Sequence, residues 1–445
     1  MRHFFLFLLL AGISTLGLPA FAQNQAQFDQ INQIIDKEYS QWETFYQYLH
    51  ANPEISFQEV KTAATLAKEL KALGFSLTEN FGGTNFVAVL QNGEGPKVMI
   101  RADMDALPVE EQTGLPYASK VKTRDDAGNE VSAMHACGHD IHMTVLVATS
   151  KVLVQMKDQW KGTLVLIGQS AEERSGGAKA MIAEGLYAKF GKPDYALALH
   201  TSASLAAGKV GYVEGFALAN VDAVDITVYG RGGHGAYPHT TIDPIVLAAR
   251  MILDFQTIVS REIAPTEPAV VTVGSIHGGT KHNIIPNEVH LQLTLRSYSE
   301  EVRNQTLEAL RRITKYVALS AGLPEDKIPK VEVTQEFTPA TYNDVTLARR
   351  VSKVFKNIIG EANVVKTEAV MGGEDFGRFG RTEEKVPICI FWLGGVDPQK
   401  LEESLHNGTP LPSLHSAFFA PLPEPTLKTG VRTMAAAALD LFQQP

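Results

Sequence analysis

The hydrophobic positions of the chain show two patterns, a regular spacing typical of helices and short continuous runs typical of buried strands. Apolar side chains recur at helical spacing over residues 28–49, and residues 62–73 predict a second helix. Three short, continuous apolar runs follow at 98–100, 163–167 and 195–199. Continuous runs of this length are typical of strands buried on both faces, and the helical stretches between them indicate an α/β sheet.

Polar side chains follow each of these three predicted strands. Asp103 and Asp105 come after the first, Glu172 and Glu173 after the second, and His200 after the third. Binding sites of open α/β sheets collect outside the carboxyl ends of the strands. We therefore expect these residues to meet at one edge of the sheet.

The pattern changes between residues 221 and 337. The predicted elements there are a strand at 224–229, a helix at 242–262, strands at 269–276 and 289–295, a helix at 300–321 and a strand at 331–334. The order β-α-β-β-α-β is the ferredoxin-like arrangement, an antiparallel sheet with helices on one face. We predict that this unit is inserted into a larger α/β domain, whose two parts are residues 23–220 and 338–445. The second part resumes with a predicted helix near 345–359.

The first 22 residues have the features of a secretory signal peptide. Arg2 precedes an apolar stretch at 4–18, and small residues occupy the two cleavage-determining positions, Ala20 and Ala22. The stretch is too short to favour a permanent membrane span. We expect cleavage after Ala22 and export to the periplasm or the medium, without stable membrane insertion.

The net charge argues against one class of partner, and the cysteine count argues against one way of stabilising the fold. The chain carries a formal net charge of −9 at pH 7, which argues against a nucleic-acid partner. It has only two cysteines, Cys137 and Cys389, so it does not depend on a disulfide framework.

One of these cysteines lies in the run His135–Asp140, where Cys137 and His139 flank a glycine. A thiolate and an imidazole at this spacing can bind one ion, and the donor types suit zinc or a neighbouring first-row divalent metal. Asp140 and His142 add further donors. Taken alone, the motif also fits an ordinary buried cysteine beside a hydrogen-bonded histidine, or a cysteine nucleophile paired with a histidine.

Glu172 and Glu173 form a second candidate catalytic or metal-binding group. Two adjacent carboxylates at a strand end cannot point in the same direction. One can bind metal while the other faces the substrate and takes a proton from a water molecule that the metal activates. The alternative is a pair of exposed, solvated glutamates.

Short segments that hold most of these residues are spread over nearly the whole chain. They are His50–Glu54, Arg101–Pro108, His135–His142, Ala171–Glu173, Gly232–Ala236, His282–Pro286, Gly373–Phe376 and Leu414–Ser416. In this order they resemble the M20 metallopeptidase family. They are most similar to its amidohydrolase branch, which includes hippurate hydrolases, N-acyl-amino-acid amidohydrolases and plant auxin-conjugate hydrolases.

The resemblance implies a zinc-peptidase-like catalytic domain, with a mixed sheet flanked by helices, and an inserted ferredoxin-like dimerisation domain. It implies that Glu172 is the general acid/base and that five residues bind metal. Those five are Cys137, His139, Glu173, His200 and His415. Five ligands exceed the four of a tetrahedral structural site, so we expect two divalent ions per subunit, of zinc, manganese, cobalt or nickel.

The resemblance further implies a homodimer in which His234 reaches the active site of the neighbouring subunit. Asn283 and Arg296 match positions that contact the substrate carbonyl and carboxylate. We expect Asp103 and Asp105 to orient the metal ligands, with Asp140 in the same supporting role.

Several of these residues also have a purely structural interpretation. Asp103 and Asp105 could cap their own turn, and His415 could be a satisfied core histidine. His234 could serve its glycine-rich loop, and Arg296 could simply be solvated. Glu374 and Asp375 could contact the amino-acid half of a substrate or cap a helix, and the sequence does not decide between these roles.

The function that we predict is metal-assisted hydrolysis of an amide. The expected substrate is an N-acyl or N-aroyl amino acid, or a short peptide with a free α-carboxylate. One alternative is an exported metallo-carboxypeptidase or dipeptidase of the same superfamily. Another is an exported binding protein that holds metal without turnover.

Overall fold

The computed structural model describes residues 18–334 and 337–443, with side chains described from residue 25. Of the predicted signal segment 1–22, residues 1–17 lie outside the described residues. The helices are α1 (Leu18–Ala51), α2 (Val60–Ala72), α3 (His139–Gln155), α4 (Gly177–Ala183), α5 (Leu186–Phe190), α6 (Pro244–Thr257), α7 (Glu300–Ser320), α8 (Val345–Ile359), α9 (Pro398–Asn407) and α10 (Pro423–Phe442). Within the described ranges, none of them combines the length and apolarity needed to cross a bilayer.

The strands belong to one large sheet, a four-stranded sheet and three short ladders. They are β1 (Ser76–Thr78), β2 (Phe86–Asn92), β3 (Lys97–Asp103), β4 (Lys122–Arg124), β5 (Glu130–Ser132), β6 (Gly162–Gln169), β7 (Tyr195–Ala206), β8 (Val210–Tyr212), β9 (Gly215–Leu218), β10 (Asn220–Tyr229), β11 (Gly233–His234), β12 (Ala269–His277), β13 (Ile284–Ile285), β14 (Glu288–Ser297), β15 (Lys330–Val333), β16 (Thr341–Asn343), β17 (Val364–Lys366) and β18 (Ile388–Val396).

An eight-stranded mixed sheet forms the centre of the larger domain, in the order β1-β2-β6-β3-β7-β18-β8-β17. β3 is parallel to β6 and β7, whereas β2 is antiparallel to β6. Ile100 and Leu166 belong to the core shared with α1, α3 and α10. Their neighbours Met99 and Val165 belong to a second core, shared with α4 and α5. Burial of both faces explains the continuous apolar runs and confirms the predicted α/β sheet.

Helix α3 is the most deeply placed helix of the larger domain. Its side chains are buried on all sides from His139 to Ser150, because it lies between the sheet and helices α1 and α10. A helix that is covered all round is a rigid support. The Cys137 and His139 motif lies at the start of this helix, with Cys137 just before it and His139 as its first residue, so the motif is attached to a buried element.

Strand β7 is longer than its apolar run predicted. The sequence places a strand end before His200, but the strand continues to Ala206. The continuation is caused by β18, which pairs in parallel with β7 from Ala196 onward and aligns Trp392 with His200. His200 therefore lies within a paired strand, and the prediction of a strand end at this residue is wrong.

Residues from β10 to β15 form a separate antiparallel sheet in the order β12-β14-β10-β15. This is ferredoxin-like topology, with α6 and α7 packed on one face. The alternating residues Val289, Leu291, Leu293 and Leu295 of β14 all point into this core and are at most 4 % exposed. The alternation predicted from the sequence is thus confirmed, as is an inserted α+β unit with its own core.

We predict that Leu291→Ala destabilises this inserted unit. Leu291 is fully buried, and removal of a buried leucine side chain costs about 2–5 kcal/mol of unfolding free energy. Leu405→Ala is the matched control, because Leu405 is 81 % exposed on α9 and should change stability by less than about 0.5 kcal/mol. Guanidinium denaturation followed by circular dichroism measures both changes, and equal effects would contradict the assigned core.

Candidate metal centre and active site

The turn that carries Cys137 and His139 depends on the glycine between them. Gly138 has a φ of 78°, in the left-handed region that glycine adopts without strain. A Cβ at this position would lie 2.4 Å from Oγ1 of Thr201. That hydroxyl donates to the carbonyl of Cys137 at 2.8 Å. The turn is therefore pressed against β7, directly beside His200.

The structure brings the five predicted metal ligands together. The Sγ of Cys137 lies 3.5 Å from Nε2 of His200 and 3.3 Å from Nε2 of His415. The Oε1 of Glu173 lies 3.4 Å from the same nitrogen of His415 and 3.9 Å from Nε2 of His139. One sulfur, three imidazole nitrogens and a carboxylate oxygen thus surround a common centre.

The histidines in this cluster are oriented as metal ligands are. The Nδ1 of His139 lies 2.8 Å from the carbonyl oxygen of Asp105, and that of His200 lies 2.7 Å from the carbonyl oxygen of Thr201. Because carbonyl oxygens only accept, each Nδ1 carries a proton, and Nε2 is the nitrogen that faces the cluster and could bind a metal ion. Nε2 of His139 is buried and has no hydrogen-bond partner among the described residues. The donor set and this orphaned nitrogen fit a divalent metal ion.

His415 is not a core histidine. Its side chain is 53 % exposed, and its φ of 66° places it in the left-handed region. The residue is held by its backbone N–H, which donates to the carbonyl of Ala136 at 2.9 Å. The strained backbone therefore directs the imidazole toward Cys137 from the side that faces solvent.

Asp105 organises the acidic pair. Its two carboxylate oxygens accept from the backbone N–H groups of Glu172 and Glu173, each at 3.1 Å. Ser56 donates to the same carboxylate at 2.6 Å, and the carbonyl of Asp105 accepts from His139. Asp105 thus orients three candidate site residues, which supports the predicted orienting role over simple capping.

Asp103 lies at the centre of a buried charge network. It accepts from Nδ1 of His142 at 2.6 Å and from the guanidinium of Arg101 at 2.7 Å. It also lies 3.7 Å from Nε2 of His139. The second ring nitrogen of His142 accepts from the backbone N–H of Thr201. Asp103 therefore connects the candidate ligand His139, through His142, to strand β7.

Glu374 and Asp375 both bind Arg101, through distances of 2.9 and 3.1 Å to one guanidinium nitrogen. Glu374 also accepts from the backbone N–H of Phe376, and Asp375 accepts from that of Ala178 at the start of α4. Both carboxylates are at most 1 % exposed. Of the two roles that the sequence left open, the geometry supports helix capping rather than contact with a substrate.

Asp140 does not touch the ligand cluster. Its carboxylate faces away from the cluster and lies 2.7 Å from Nδ1 of His50. The network behind the site therefore extends to helix α1, which ends just after His50.

Electrostatics at the histidines favour a bound cation. Burial lowers the pKa of His200 to about 3, so its imidazole stays neutral. Burial also lowers the pKa of His139, but Asp103 and Asp105 outweigh it and raise that pKa to about 10. The acidic groups around His139 therefore stabilise positive charge at the position where the ligand atoms converge.

Glu172 lies beside this cluster, at the floor of a cavity. Burial raises the pKa of Glu172 well above its usual range, and the carboxylates of Glu374 and Glu173 raise it further. A carboxyl group in such surroundings can accept a proton and return it near neutral pH. This is the property that the predicted general acid/base needs.

The cavity has a volume of about 430 Å³ and lies between the two domains. Glu172 and the ligand cluster form one side of it, and Arg296 of β14 forms part of the other. Arg296 is half-buried, and its Nε donates only to the hydroxyl of Thr294. Among the described residues no carboxylate forms an ion pair with it, so its guanidinium is free to bind an anion in the cavity.

His234 and Asn283 lie outside this cavity. His234 pairs with Ile284 in the β11 and β13 ladder, and next to this pair the N–H of Gly235 donates to the carbonyl of Asn283 at 2.9 Å. Both side chains are exposed. The structure therefore places them side by side on the surface of the inserted unit, and neither lines the cavity that holds the ligand cluster.

Sequence reasoning did not identify the polar residues that support this site. Arg101 and Gln169 lie under the cluster, and Glu59 accepts from the backbone N–H of Ala171 at 2.7 Å. A charged residue that extends an apolar strand, as Arg101 does, is a usable signal. Glu59 has no comparable signal, because its partner is 112 residues away.

Comparison with known proteins agrees with this geometry. Residues 99–439 match the model of peptidase family M20/M25/M40. Thermostable carboxypeptidase 2 of Saccharolobus solfataricus is 36 % identical over 395 residues, covering 88 % of this chain and 93 % of that protein. The hippurate hydrolase of Campylobacter jejuni is 38 % identical over 351 residues, covering 78 % and 87 % of the two chains.

A solved structure is also similar. The YXEP protein of Bacillus subtilis, described as a dinuclear metal binding peptidase from the M20 family, superimposes with a TM-score of 0.72 at 28 % identity. The match covers 91 % of this chain and 98 % of that one.

We predict that Arg101→Met destabilises the protein by about 3–5 kcal/mol, because it leaves buried carboxylates uncompensated. Adding Glu374→Gln should recover part of the loss, since it removes one of those charges. Arg381→Met is the control, because Arg381 and its partner Glu300 are both exposed and such pairs contribute at most about 1 kcal/mol. Chemical denaturation measures all three, and a double variant no more stable than Arg101→Met would contradict the charge-balance account.

Proposed function

The chain belongs to peptidase family M20/M25/M40 and is a hydrolase of that family, and on this premise we propose a specific reaction for it. We propose metal-dependent hydrolysis of the amide bond of N-acyl or N-aroyl amino acids with a free α-carboxylate. One observation carries the proposal. A single cavity holds candidate metal-ligand side chains, the buried carboxyl of Glu172 and the guanidinium of Arg296, which forms no ion pair with any described residue.

Cys137, His139, Glu173, His200 and His415 would hold two divalent ions, of zinc, manganese, cobalt or nickel. Bound there, such ions polarise a carbonyl and lower the pKa of water. The solved relative described as a dinuclear metal binding peptidase supports two ions rather than one.

Glu172 moves the proton in this proposal. It accepts a proton from the water that adds to the amide carbon and delivers it to the nitrogen as the carbon–nitrogen bond breaks. The products are a carboxylic acid and a free amino acid. Asp105 keeps Glu172 in place, because it fixes the backbone N–H groups of Glu172 and Glu173.

Arg296 orients the substrate. A guanidinium binds a carboxylate through two parallel hydrogen bonds, which fixes the substrate in direction as well as position. The amino-acid carboxylate would lie on Arg296 and the amide would extend toward Glu172. The similarity to a hippurate hydrolase supports this substrate class.

Short peptides present the same carboxylate, and similarity to carboxypeptidases favours them as a second candidate substrate. Both substrate classes use the same cavity. They differ in the group on the other side of the amide, which the substrate panel below separates.

We also propose a homodimer that completes the active site. His234 and Asn283 project from the inserted unit and do not reach the ligands of their own chain. The same unit exposes apolar side chains on α6 and on the edge strand β12, among them Val246, Leu253 and Ile276. Exposed apolar patches and open strand edges are typical of surfaces that pair with a copy. In such a pair His234 would donate to the substrate carbonyl in the neighbouring subunit.

Export is proposed from the sequence alone. Its support is the charged start, the apolar stretch at 4–18 and the small residues before Gln23. A mature chain would begin within helix α1, ahead of its buried residues from Phe28 onward.

The test is release of free amine from hippurate, N-acetyl amino acids and dipeptides by the metal-loaded protein.

We predict that Glu172→Gln keeps its metal but loses about 100- to 10,000-fold in turnover, because the amide cannot accept a proton. Metal content measured by atomic absorption is the control. More than about a tenth of the activity in Glu172→Gln would remove Glu172 from this role. Activity that survives chelation would support a Cys137 nucleophile, and metal binding without any turnover would support a binding protein.

We predict that Arg296→Met raises KM about 10- to 100-fold for N-acyl amino acids, as expected when a hydrogen bond to a charged group is lost. Steady-state kinetics measures the change. The control substrate is the corresponding N-acyl amine without a carboxylate, for which wild type and variant should be equally poor. Equal KM values of wild type and variant for the acidic substrate would show that Arg296 is merely solvated.

We predict that the inactive variants His234→Ala and Glu172→Gln complement each other on mixing. Random exchange makes half of the dimers mixed, and each mixed dimer has one intact site, so activity should reach about a quarter of wild type. Native mass spectrometry checks subunit exchange. Complete exchange without recovered activity would mean that His234 does not act across the dimer.

A further inference from the structure

His50 is a buried imidazole that has no part in the reaction proposed above. It is 1 % exposed, and each of its ring nitrogens faces a carboxylate. Nδ1 lies 2.7 Å from Oδ2 of Asp140, and Nε2 lies 3.0 Å from Oε1 of Glu111. The side chains of both acids are also buried, at most 1 % exposed. Since ionised carboxylates only accept hydrogen bonds, His50 donates from both nitrogens as an imidazolium.

Through Asp140, His50 is connected to the part of the candidate metal centre that holds Cys137 and His139. Asp140 directly follows His139 in the first turn of α3, and its other oxygen accepts from the backbone N–H of Ile141 at 2.9 Å. The carboxylate is therefore rigidly attached to the turn that carries Cys137 and His139.

Through Glu111, His50 is connected to the loop that holds the candidate ligand His415. Glu111 accepts from the backbone N–H of Ser119 at 2.6 Å and from the hydroxyl of Thr113. These bonds close the turn around Gln112, whose own N–H donates to the carbonyl of Ala417 at 2.8 Å. Ala417 lies two residues beyond His415, in the exposed loop that carries this ligand.

His50 thus adds a second connection, through Asp140 and Glu111, between two segments that are far apart along the chain. The first connection is the direct bond from the N–H of His415 to the carbonyl of Ala136. We propose that His50 is a positioning residue that holds the His139 turn and the His415 loop at the spacing that two metal ions require. The inference rests on the proposed metal-dependent function and deepens it. His50 does not touch substrate or metal, and it acts through Asp140 on one side and Glu111 on the other.

Stability alone does not account for this arrangement. Burying three charges carries a desolvation penalty, and apolar side chains of similar volume often replace such a triad without loss of stability. Two directed hydrogen bonds, by contrast, fix the distance between their acceptors. Residues that support metal ligands in this way typically change metal affinity or activity by about 10- to 100-fold when they are replaced.

The decisive comparison is between Glu111→Gln and Glu111→Leu. In Glu111→Gln, a neutral His50 can still donate to Asp140 and can accept from the glutamine amide, so the link survives. In Glu111→Leu, a side chain of similar size breaks it. His50→Gln is a second disrupting variant, and Tyr46→Phe is the control, because the Tyr46 ring packs 5.7 Å from His50 without joining the two carboxylates.

The experiment loads each full-length variant with Zn²⁺ and measures the rate of its release to a chelator, without substrate, well below the unfolding midpoint. Circular dichroism confirms folding. We expect Glu111→Leu and His50→Gln to release Zn²⁺ at least about tenfold faster than wild type. Glu111→Gln and Tyr46→Phe should stay within about twofold of wild type. In the two disrupting variants kcat should fall while KM is unchanged, because substrate contacts are intact.

Two negative results would have different meanings. If Glu111→Leu and His50→Gln unfold at lower temperature but release Zn²⁺ and turn over at the rates of Tyr46→Phe, the positioning role is wrong and His50 is only a structural residue. If wild type itself retains no Zn²⁺ and no other divalent ion, both this inference and the proposed function are overturned.

Discussion

The burial of many carboxylates in one small volume is the constraint on which the rest of this structure depends. Asp103, Asp105, Glu172, Glu374 and Asp375 lie within one network, and none is more than 8 % exposed. Ionised carboxylates removed from water need charge or hydrogen bonds to replace their hydration. Arg101 supplies one charge and is itself fully enclosed by the acids. Backbone N–H groups and histidines supply much of the rest, and the proposed divalent cations would complete the balance where ligand atoms remain unpaired among the described residues.

The fold meets this constraint by placing the ends and continuations of parallel strands side by side. β3 delivers Asp103, β6 leads to the Glu172 turn, and β7 carries His200. Asp105, Glu374 and Asp375 then accept hydrogen bonds from backbone N–H groups instead of from water. Asp105 is the clearest case, because one carboxylate holds the N–H groups of Glu172 and Glu173 while its carbonyl orients His139. The same bonds that neutralise the site therefore also set its geometry.

The two domains divide the proposed chemistry between them. The larger domain holds Glu172 and most of the ligand cluster on buried elements and His415 on an exposed loop, and the inserted unit contributes Arg296 across the cavity. In the proposed reaction, recognition of the substrate carboxylate and cleavage of the amide would thus come from parts of the chain with separate cores. His234 and Asn283, on the exposed ladder of the inserted unit, are free to face another molecule rather than this cavity.

The sequence by itself determined the helices and strands in which one face is buried along the whole element, because their apolar residues then recur at a regular spacing. Helix α8 begins and ends at the predicted residues 345 and 359, and the alternation in β14 matches its buried face. The resemblance to the M20 family named Cys137, His139, Glu173, His200 and His415 as candidate ligands, and the structure brings these side chains together. Only the tertiary structure decided the continuation of β7 past His200, the pairing of Arg101 with Glu374 across 273 residues, and the place of His50 between Asp140 and Glu111. The physical reason is that periodicity depends on which face of an element is buried, a property of neighbouring residues. The partner of a buried charge depends instead on which strands and loops the whole fold brings together.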